Sequence, residues 1–164
     1  MVGFESLREK DLKDFRKDAT TEDNDVAIDI LKQNGFEINS NYVLAQDYDQ
    51  NDFDNLRGYV EKNELPLPLY FILTPFPGTV TWQKFKDQIF LHDYDFYDLL
   101  HTVIPPTKME IEDYYTQFSK LYATVPPLAR GIAQYGEGLD EMVVRNLKKA
   151  LKSMRQASSH LGDS

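Results

Sequence analysis

Cysteine is absent from all 164 residues. Disulfides, thiolate zinc sites, cysteine nucleophiles and thiolate-held iron–sulfur clusters are therefore excluded within this chain. No apolar run approaches the ~20 residues needed to cross a bilayer, and a mean hydropathy of -0.51 predicts a soluble, cytoplasmic chain. The first five residues lack a basic region followed by a long apolar stretch, so no secretory signal is expected. There is no Gly-rich phosphate loop, nucleophile elbow or metalloprotease helix, and the three histidines show no ligand spacing. Internal repeats and low-complexity segments are lacking too.

Positive charge is also scarce. The net charge of -9 argues against nucleic-acid binding through phosphates. The imbalance is uneven: from Leu139 onward five basic residues face three acidic ones, +2, which leaves -11 on the first 138. The basic end reads as a solvated helix face, or as a contact with an acidic surface of a parent protein.

What is present is organised around residues 69–79, Leu-Tyr-Phe-Ile-Leu-Thr-Pro-Phe-Pro-Gly-Thr. A short apolar run rich in β-formers meets two prolines and a glycine, and helical spacing follows at once. That predicts a buried strand, a loop and a helix. Ligands sit at such carboxyl strand ends in α/β folds. Gly78 lets the chain turn sharply or approach a bound group closely; the plainer alternative is a stiff connector with no ligand.

The rest of the chain supplies similar units. Residues 2–6 predict a strand that begins at once, followed by a charged helix with Leu7, Leu12 and Phe15 as its apolar positions. Thr20 and Asp23 form a capping-box pattern. Val26, Ala27, Ile30 and Leu31 mark one helix face, and Gly35 ends it. Phe36, Ile38 and 42–44 predict the next strand, and Asn51 a helix cap before Phe53, Leu56 and Val60. Pro66 and Pro68 keep the chain extended into a strand at 69–73. Trp82, Phe85 and Ile89 follow as a helix. Strands alternating with amphipathic helices imply parallel strands. Ile111, Tyr114, Tyr115, Phe118, Leu121 and Tyr122 give the cleanest amphipathic helix, its aromatic stripe read as core or cover. A linker at 131–138, a basic helix with apolar positions from Leu139 to Met154 and a frayed tail complete the expectation.

Several positions carry chemistry in two readings. Glu5, at a strand's carboxyl end, suits a ribose or an amine, or is a plain surface acid. Asp47 and Asp49 suit a cation or sugar hydroxyl, or are turn residues bonding nearby amides. His101, between apolar neighbours, reads as a satisfied core or edge residue.

Taken in order, the pieces resemble the C-terminal half of a radical S-adenosylmethionine (SAM) domain, of the cobalamin-binding branch that includes the hopanoid C-3 methylases. Residues 2–6 (VGFES) resemble its fourth strand, "GxES", and residues 30–38 (ILKQNGFEI) resemble "LKxxGIxV" before its fifth. Residues 71–79 (FILTPFPGT) are very like the sixth strand's "LTPxPGT". Tyr97 to His101, Pro106 to Lys108 and the Tyr114–Tyr122 stretch resemble "YDxxH…PTK…FY…LY". The resemblance covers roughly residues 2–123.

It implies an α/β fold: a partial (β/α) barrel of the radical SAM type, about three βα units with parallel strands, followed by C-terminal helices. The barrel part would span 1–104, an aromatic helix with its Pro-rich end 105–128, and linker, basic helix and tail 129–164. The implied cofactors of the complete enzyme are SAM, a 4Fe-4S cluster and cobalamin. Glu5 and Ser6 would approach the ribose or methionine moiety, with Ala45 and Gln46 beside the adenosine. Phe71, Ile72 and Leu73 would lie along adenine, and Pro75, Pro77, Gly78 and Thr79 would shape the adjoining loop. The fifth strand departs from the family's glycines, with Ser40 and Ala45 in their place. The cluster loop CxxxCxxC and the "GGE" segment belong to an N-terminal half, so this cysteine-free chain alone is expected to be inert.

The resemblance implies methyl transfer, with a polycyclic isoprenoid such as a hopanoid as acceptor and peripheral membrane contact through that lipid. An oxidative cyclase on the same scaffold, or a binding module docking through helix 108–123, are the alternatives. Half a barrel leaves open strand edges and uncovered apolar faces. Association with the missing half, with itself or as aggregate is expected in size-exclusion chromatography; a clean monomer melting above about 60 °C would contradict the half-barrel.

Overall fold

The computed structural model describes residues 2–15 and 20–124. The linker, the basic helix from Leu139 and the tail expected after residue 124 lie outside the described residues, as does the end of the charged helix at 16–17. Within them the order is β1 (Val2–Glu5), α1 (Glu9–Asp14), α2 (Thr21–Gln33), β2 (Asn39–Leu44), α3 (Gln50–Lys62), β3 (Leu67–Ile72), α4 (Val80–Phe85) and α5 (Ile111–Thr124). Single 3-10 turns occupy Lys86–Gln88 and Tyr94–Phe96. The three strands form one parallel sheet in the order β1-β2-β3, an α/β arrangement as the alternation predicts.

Local chemistry sets the helix ends. Thr20 Oγ1 accepts the Asp23 amide at 3.2 Å and Asp23 accepts the Thr20 amide at 2.7 Å, the reciprocal capping box. At the other end Gly35 takes φ +73°. The Phe36 and Gly35 amides donate back to Leu31 and Lys32 carbonyls at 2.9 and 3.0 Å, a Schellman closure open to glycine without strain. α3 corrects the expected cap: Asp49, not Asn51, caps it, accepting amides of Asn51 and Asp52 at 2.9 and 3.1 Å. A second capping box, with Asp52, fixes the earlier start.

The apolar face of α2 also differs from expectation. Val26 and Ile30 are 56% and 54% exposed, whereas Asn24 and Ile28 are buried and Ala27 and Leu31 pack partly on the core. Two overlapping i, i+4 stripes exist on this helix, and the sheet takes the 24/28/31 stripe. Phe36, expected in a strand, is 63% exposed because the Schellman turn delays β2 to Asn39. His101 is likewise not a core residue; it is exposed and pairs with Asp98 at 2.8 Å.

Burial alternates along the strands. Ser40, Tyr42 and Leu44 of β2, with Pro68, Tyr70 and Ile72 of β3, face the helices and are buried. There they meet Ile28, Phe53, Leu56, Val60, Tyr114, Phe118 and Leu121 in the main core. Tyr42 and Tyr70 stack at 5.9 Å, and Phe53 meets Tyr114 edge-on at 5.3 Å. The opposite face, with Asn41, Val43, Leu69 and Phe71, is only half-covered. The aromatic stripe of α5 is core, as its spacing predicts. A second small cluster joins Ile89, Tyr97, Val103 and Ile104 to Trp82 and Phe85.

The outer edge of β3 is sealed. Tyr122 Oη donates to the Tyr70 carbonyl at 2.6 Å and accepts the Tyr70 amide at 3.2 Å. The Ile72 amide donates to the Leu99 carbonyl at 2.7 Å, and Pro68 has no amide to offer. β1 lies at the sheet's other margin. Tyr122→Phe should cost about 1–3 kcal/mol, since it strands a half-buried amide and carbonyl together. The midpoint of chemical denaturation measures this, and an unchanged midpoint would mean that the edge is held by something else.

Candidate functional site

The carboxyl ends of all three parallel strands open on a cleft of about 780 Å³. Its lining includes Glu5 from β1, Val43 from β2 with Ala45, Gln46 and Asp47 just beyond it, Phe71 and Ile72 from β3 with Leu73 and Thr74 just beyond it, and Leu99. Lys10, Asp11, Asp14 and Phe15 come from α1, and Val80, Thr81, Lys84 and Phe85 from α4. Of the residues that the resemblance implicates, Glu5, Ala45, Gln46, Phe71, Ile72 and Leu73 are brought together here. Ser6, Pro75, Pro77, Gly78 and Thr79 are not in the lining.

The backbone explains this division. β1 ends in a bulge that shifts its register against β2 between Gly3 and Glu5. The Ser6 amide bonds the Phe4 carbonyl at 2.8 Å around Glu5, whose φ is +64°. Such a tight turn through a non-glycine residue is strained, and it sends Glu5 and Ser6 to different surroundings. Ser6 is fully buried. Its hydroxyl donates to Asp11 Oδ2 at 2.8 Å, lies 3.2 Å from Tyr48 Oη and accepts the Arg8 amide at 3.1 Å.

Arg8 gathers the carboxylates behind the cleft. Its Nε and Nη2 reach Asp11 at 2.7 and 2.8 Å, Nη2 reaches Asp47 at 2.6 Å, and Nη1 reaches Asp52 at 3.0 Å. The guanidinium also sits 4.2 Å from the centre of the Tyr48 ring. Burial works to lower the Arg8 pKa, but the hydrogen bond and charge of Asp11, with Asp52 behind them, raise it. One cation thus ties α1, the loop after β2 and the start of α3 together. Asp47, also paired with Lys10, and Asp49, the α3 cap, are held by these protein partners. No group of three metal-ligating side chains occurs among the described residues.

The loop after β3 is held by its own bonds. Leu73 donates to the Leu44 carbonyl at 2.9 Å and so prolongs the ladder. Thr74 Oγ1 donates to the Ile72 carbonyl at 3.1 Å. Thr79 caps α4, accepting the Trp82 amide at 3.1 Å and donating to the Phe76 carbonyl at 2.7 Å. Gly78 has φ +85°, and a Cβ there would meet nothing within 4 Å, so the turn rather than close approach requires glycine. Pro75, Pro77, Gly78 and Thr79 shape the loop that delivers Val80, Thr81 and Lys84 to the cleft. Lys84 then meets Asp14 at 2.8 Å, and its hydrogen bond holds the Asp14 carboxyl below the usual 3.8.

Sequence reasoning missed Lys10, Asp11, Asp14, Lys84 and Leu99. For the four charged residues only the position of α1 and α4 after strands pointed to the cleft, and their charges read as ordinary helix surface; nothing local marked Leu99. The whole forms an apolar floor of Val43, Ala45, Phe71 and Leu73 under a charged rim. Gln46 Oε1 is shielded from solvent and has no hydrogen-bond partner among the described residues. Such a cleft suits a flat heterocycle carrying a charged, polar tail.

No protein-family model matches the chain. Bacteriochlorophyllide d C-12(1)-methyltransferase of Chlorobaculum tepidum is 29% identical over 126 residues, covering 76% of this chain and 28% of that protein. Bacteriochlorophyllide d C-8(2)-methyltransferase of the same organism is 28% identical over 67% of the chain and 26% of its own length. Hopanoid C-3 methylase of Methylococcus capsulatus is 27% identical over 73% and 23%. These relatives are methyltransferases. The resemblance read from the motifs stands: the chain is hopanoid C-3 methylase-like. It spans about a quarter of the length of the curated relatives that it matches. No helix among the described residues is long and apolar enough to cross a membrane.

In this methyltransferase-like chain, the loop carrying Asp47 is packed by Tyr48. Burial pushes the Tyr48 phenol up from 10.0 to about 12. A raised phenol pKa means that the unfolded chain releases this proton first. The stability present below pH 10 should therefore decline between pH 10 and about 12, by on the order of 2–3 kcal/mol from this group. Chemical denaturation across that range, with phenolate absorbance followed in parallel, measures it.

Proposed function

We propose that the chain is the C-terminal, SAM-facing part of a radical SAM, cobalamin-dependent methyltransferase, with methyl transfer to a hopanoid or related isoprenoid lipid as the activity of the complete enzyme. The observation that carries this reading is the cleft at the carboxyl ends of β1, β2 and β3, where six implicated residues line one space. Its relatives' printed activities, on bacteriochlorophyllide d and on hopanoids, support the reaction class.

The residues present fit SAM. Backbone groups of Phe71 to Leu73 lie beside an apolar floor suited to adenine. The unpaired Gln46 Oε1 is an acceptor of the kind that an exocyclic amine seeks. The Glu5 carboxylate at the rim suits ribose hydroxyls or the methionine ammonium, and Lys84 suits the methionine carboxylate. Ser6 does not touch the ligand in this reading; through Asp11 and Arg8 it positions the turn that presents Glu5.

The residues do not fit the 4Fe-4S cluster. The chain has no cysteine, so no cluster ligand comes from it. When bound, SAM and its metal partners supply the radical and methyl-transfer chemistry; these residues bind, orient and shield. The barrel organisation, with residues 1–104 as its latter part and 105–128 as an added cover, belongs to the same proposal. So does its partner, the cluster-bearing half of the protein.

Glu5→Gln in the protein assembled with its cluster-bearing part should weaken SAM binding about tenfold, ~1.4 kcal/mol, by calorimetry, with the circular dichroism unchanged. Unaltered SAM affinity in both Glu5→Gln and Lys84→Gln would overturn this assignment of the cleft.

A further inference from the structure

Exposed aromatic rings stand beside the cleft. Phe76, in the loop after β3, is 40% exposed, and Tyr94, in the second 3-10 turn, is 65% exposed. The Tyr97 ring lies between them, its centre 6.3 Å from that of Phe76 and 5.1 Å from that of Tyr94. The three rings thus form one row, and its backbone runs into the cleft on both sides. Phe76 is two residues after Thr74 and Tyr97 two before Leu99, and both of those line the cleft. Each Cα is therefore within about 8 Å of that of a lining residue.

The row is preformed. Pro75 and Pro77 restrict the backbone on either side of Phe76, whose carbonyl accepts the Thr79 amide at 3.2 Å. Asp93 accepts the Asp95 amide at 3.1 Å. Asp98 accepts the Leu100 and His101 amides at 2.9 Å and holds Leu99 at φ +67°. Apolar rings on a stiff backbone lose little freedom when a ligand covers them. A second, independent observation also points to a ligand. The Tyr97 hydroxyl is shielded from solvent and has no hydrogen-bond partner among the described residues. A shielded donor without an acceptor is costly, and an oxygen on a ligand would satisfy it.

Charge narrows the class of that ligand. Residues 87 to 107 contain no lysine or arginine but include Asp87, Asp93, Asp95 and Asp98. Anionic ligands and anionic lipid surfaces are repelled here. The carboxylates of Asp93 and Asp98 are taken by the amides named above, which leaves the rings as the available contact.

We propose that Phe76, Tyr94 and Tyr97 seat the acceptor, a neutral, rigid polycyclic molecule carrying an oxygen. Its ring face covers Phe76 and Tyr94, its oxygen takes the Tyr97 hydroxyl, and one edge is directed to the cleft. This rests on the acceptor class proposed above and adds where that acceptor sits and what selects it.

Trp82, the sole tryptophan, packs against the small cluster that contains Tyr97. It serves as energy-transfer donor to dehydroergosterol, a fluorescent tetracyclic alcohol delivered from cyclodextrin. The full 164-residue chain should show saturable transfer. The double variant Phe76→Ser, Tyr94→Ser should bind at least about tenfold more weakly with its circular dichroism unchanged. Phe36→Ser, also exposed but before β2 at the opposite end of the sheet, should bind as the unaltered chain does. Tyr97→Phe should abolish the preference for cholestanol over cholestane as displacing ligand.

Absence of saturable transfer, or equal binding by the double variant, would overturn the proposal. Equally good displacement by hexadecanol would overturn the rigid-ring class. Capture of the chain by sterol-free phosphatidylcholine and phosphatidylglycerol vesicles would assign the rings to a membrane surface instead. A smaller sedimenting species in the double variant would assign them to a second copy of the chain. Should the double variant unfold, Tyr97→Phe decides, and an unchanged preference for cholestanol overturns the seat. Sterol binding together with unaltered SAM affinity in Glu5→Gln and Lys84→Gln would refute the cleft assignment and leave the seat standing.

Discussion

A parallel sheet that ends must satisfy, cover or omit the bonding groups of its last strand. β3 does all three: Tyr122 takes both the amide and the carbonyl of Tyr70, Leu99 takes the amide of Ile72, and Pro68 has none to offer. The rest of the architecture depends on this closure. It makes β3 a terminal strand of the described sheet and draws α5 onto the core face. Once α5 is there, Tyr114 also donates to the carbonyls of Leu44 and Ala45 at 3.3 Å, and the Thr107 amide bonds the Gln46 carbonyl at 2.9 Å. The segment after the sheet therefore holds the end of β2 where the cleft needs it.

Arg8 does the corresponding work on the other side. A lone carboxylate as buried as Asp11 would be costly, and so would a half-buried guanidinium facing water on one side only. Together with Asp47, Asp52 and the Tyr48 ring they satisfy one another and fix the strained turn at Glu5. Charged residues that read as helix surface thus form the rear wall of the cleft. In front of that wall lie an apolar floor and a charged rim. They hold no sulfur ligand for a metal cluster.

Much of this was legible because it is encoded locally. The Thr20–Asp23 capping box, the Gly35 stop and the 111–122 stripe depend on near neighbours and appear where the spacing puts them; the strand expected at 69–73 forms at Leu67–Ile72, with Pro68 inside it. The α2 face and the α3 cap were misread for a physical reason. Val26/Ile30 and Asn24/Ile28 are equally periodic, and only the sheet decides between them. Asp49 and Asn51 are both good caps, and Asp49 won because Asp52 reciprocates from three residues on. Ser6 was grouped with Glu5 through the resemblance to "GxES", yet one positive φ separates their surroundings.

By itself the sequence determined the alternation of strands and helices, the parallel class and the absence of any thiolate ligand, because each follows from residue type or from spacing of a few positions. Tertiary structure alone decided which face of α2 is core, which margin of the sheet is sealed and which charges reach the cleft. Those outcomes turn on contacts such as Tyr122 with Tyr70, Lys84 with Asp14 and Arg8 with Asp52, between residues 44 to 70 positions apart. Hydrophobic periodicity carries no information about which distant partner a side chain will meet.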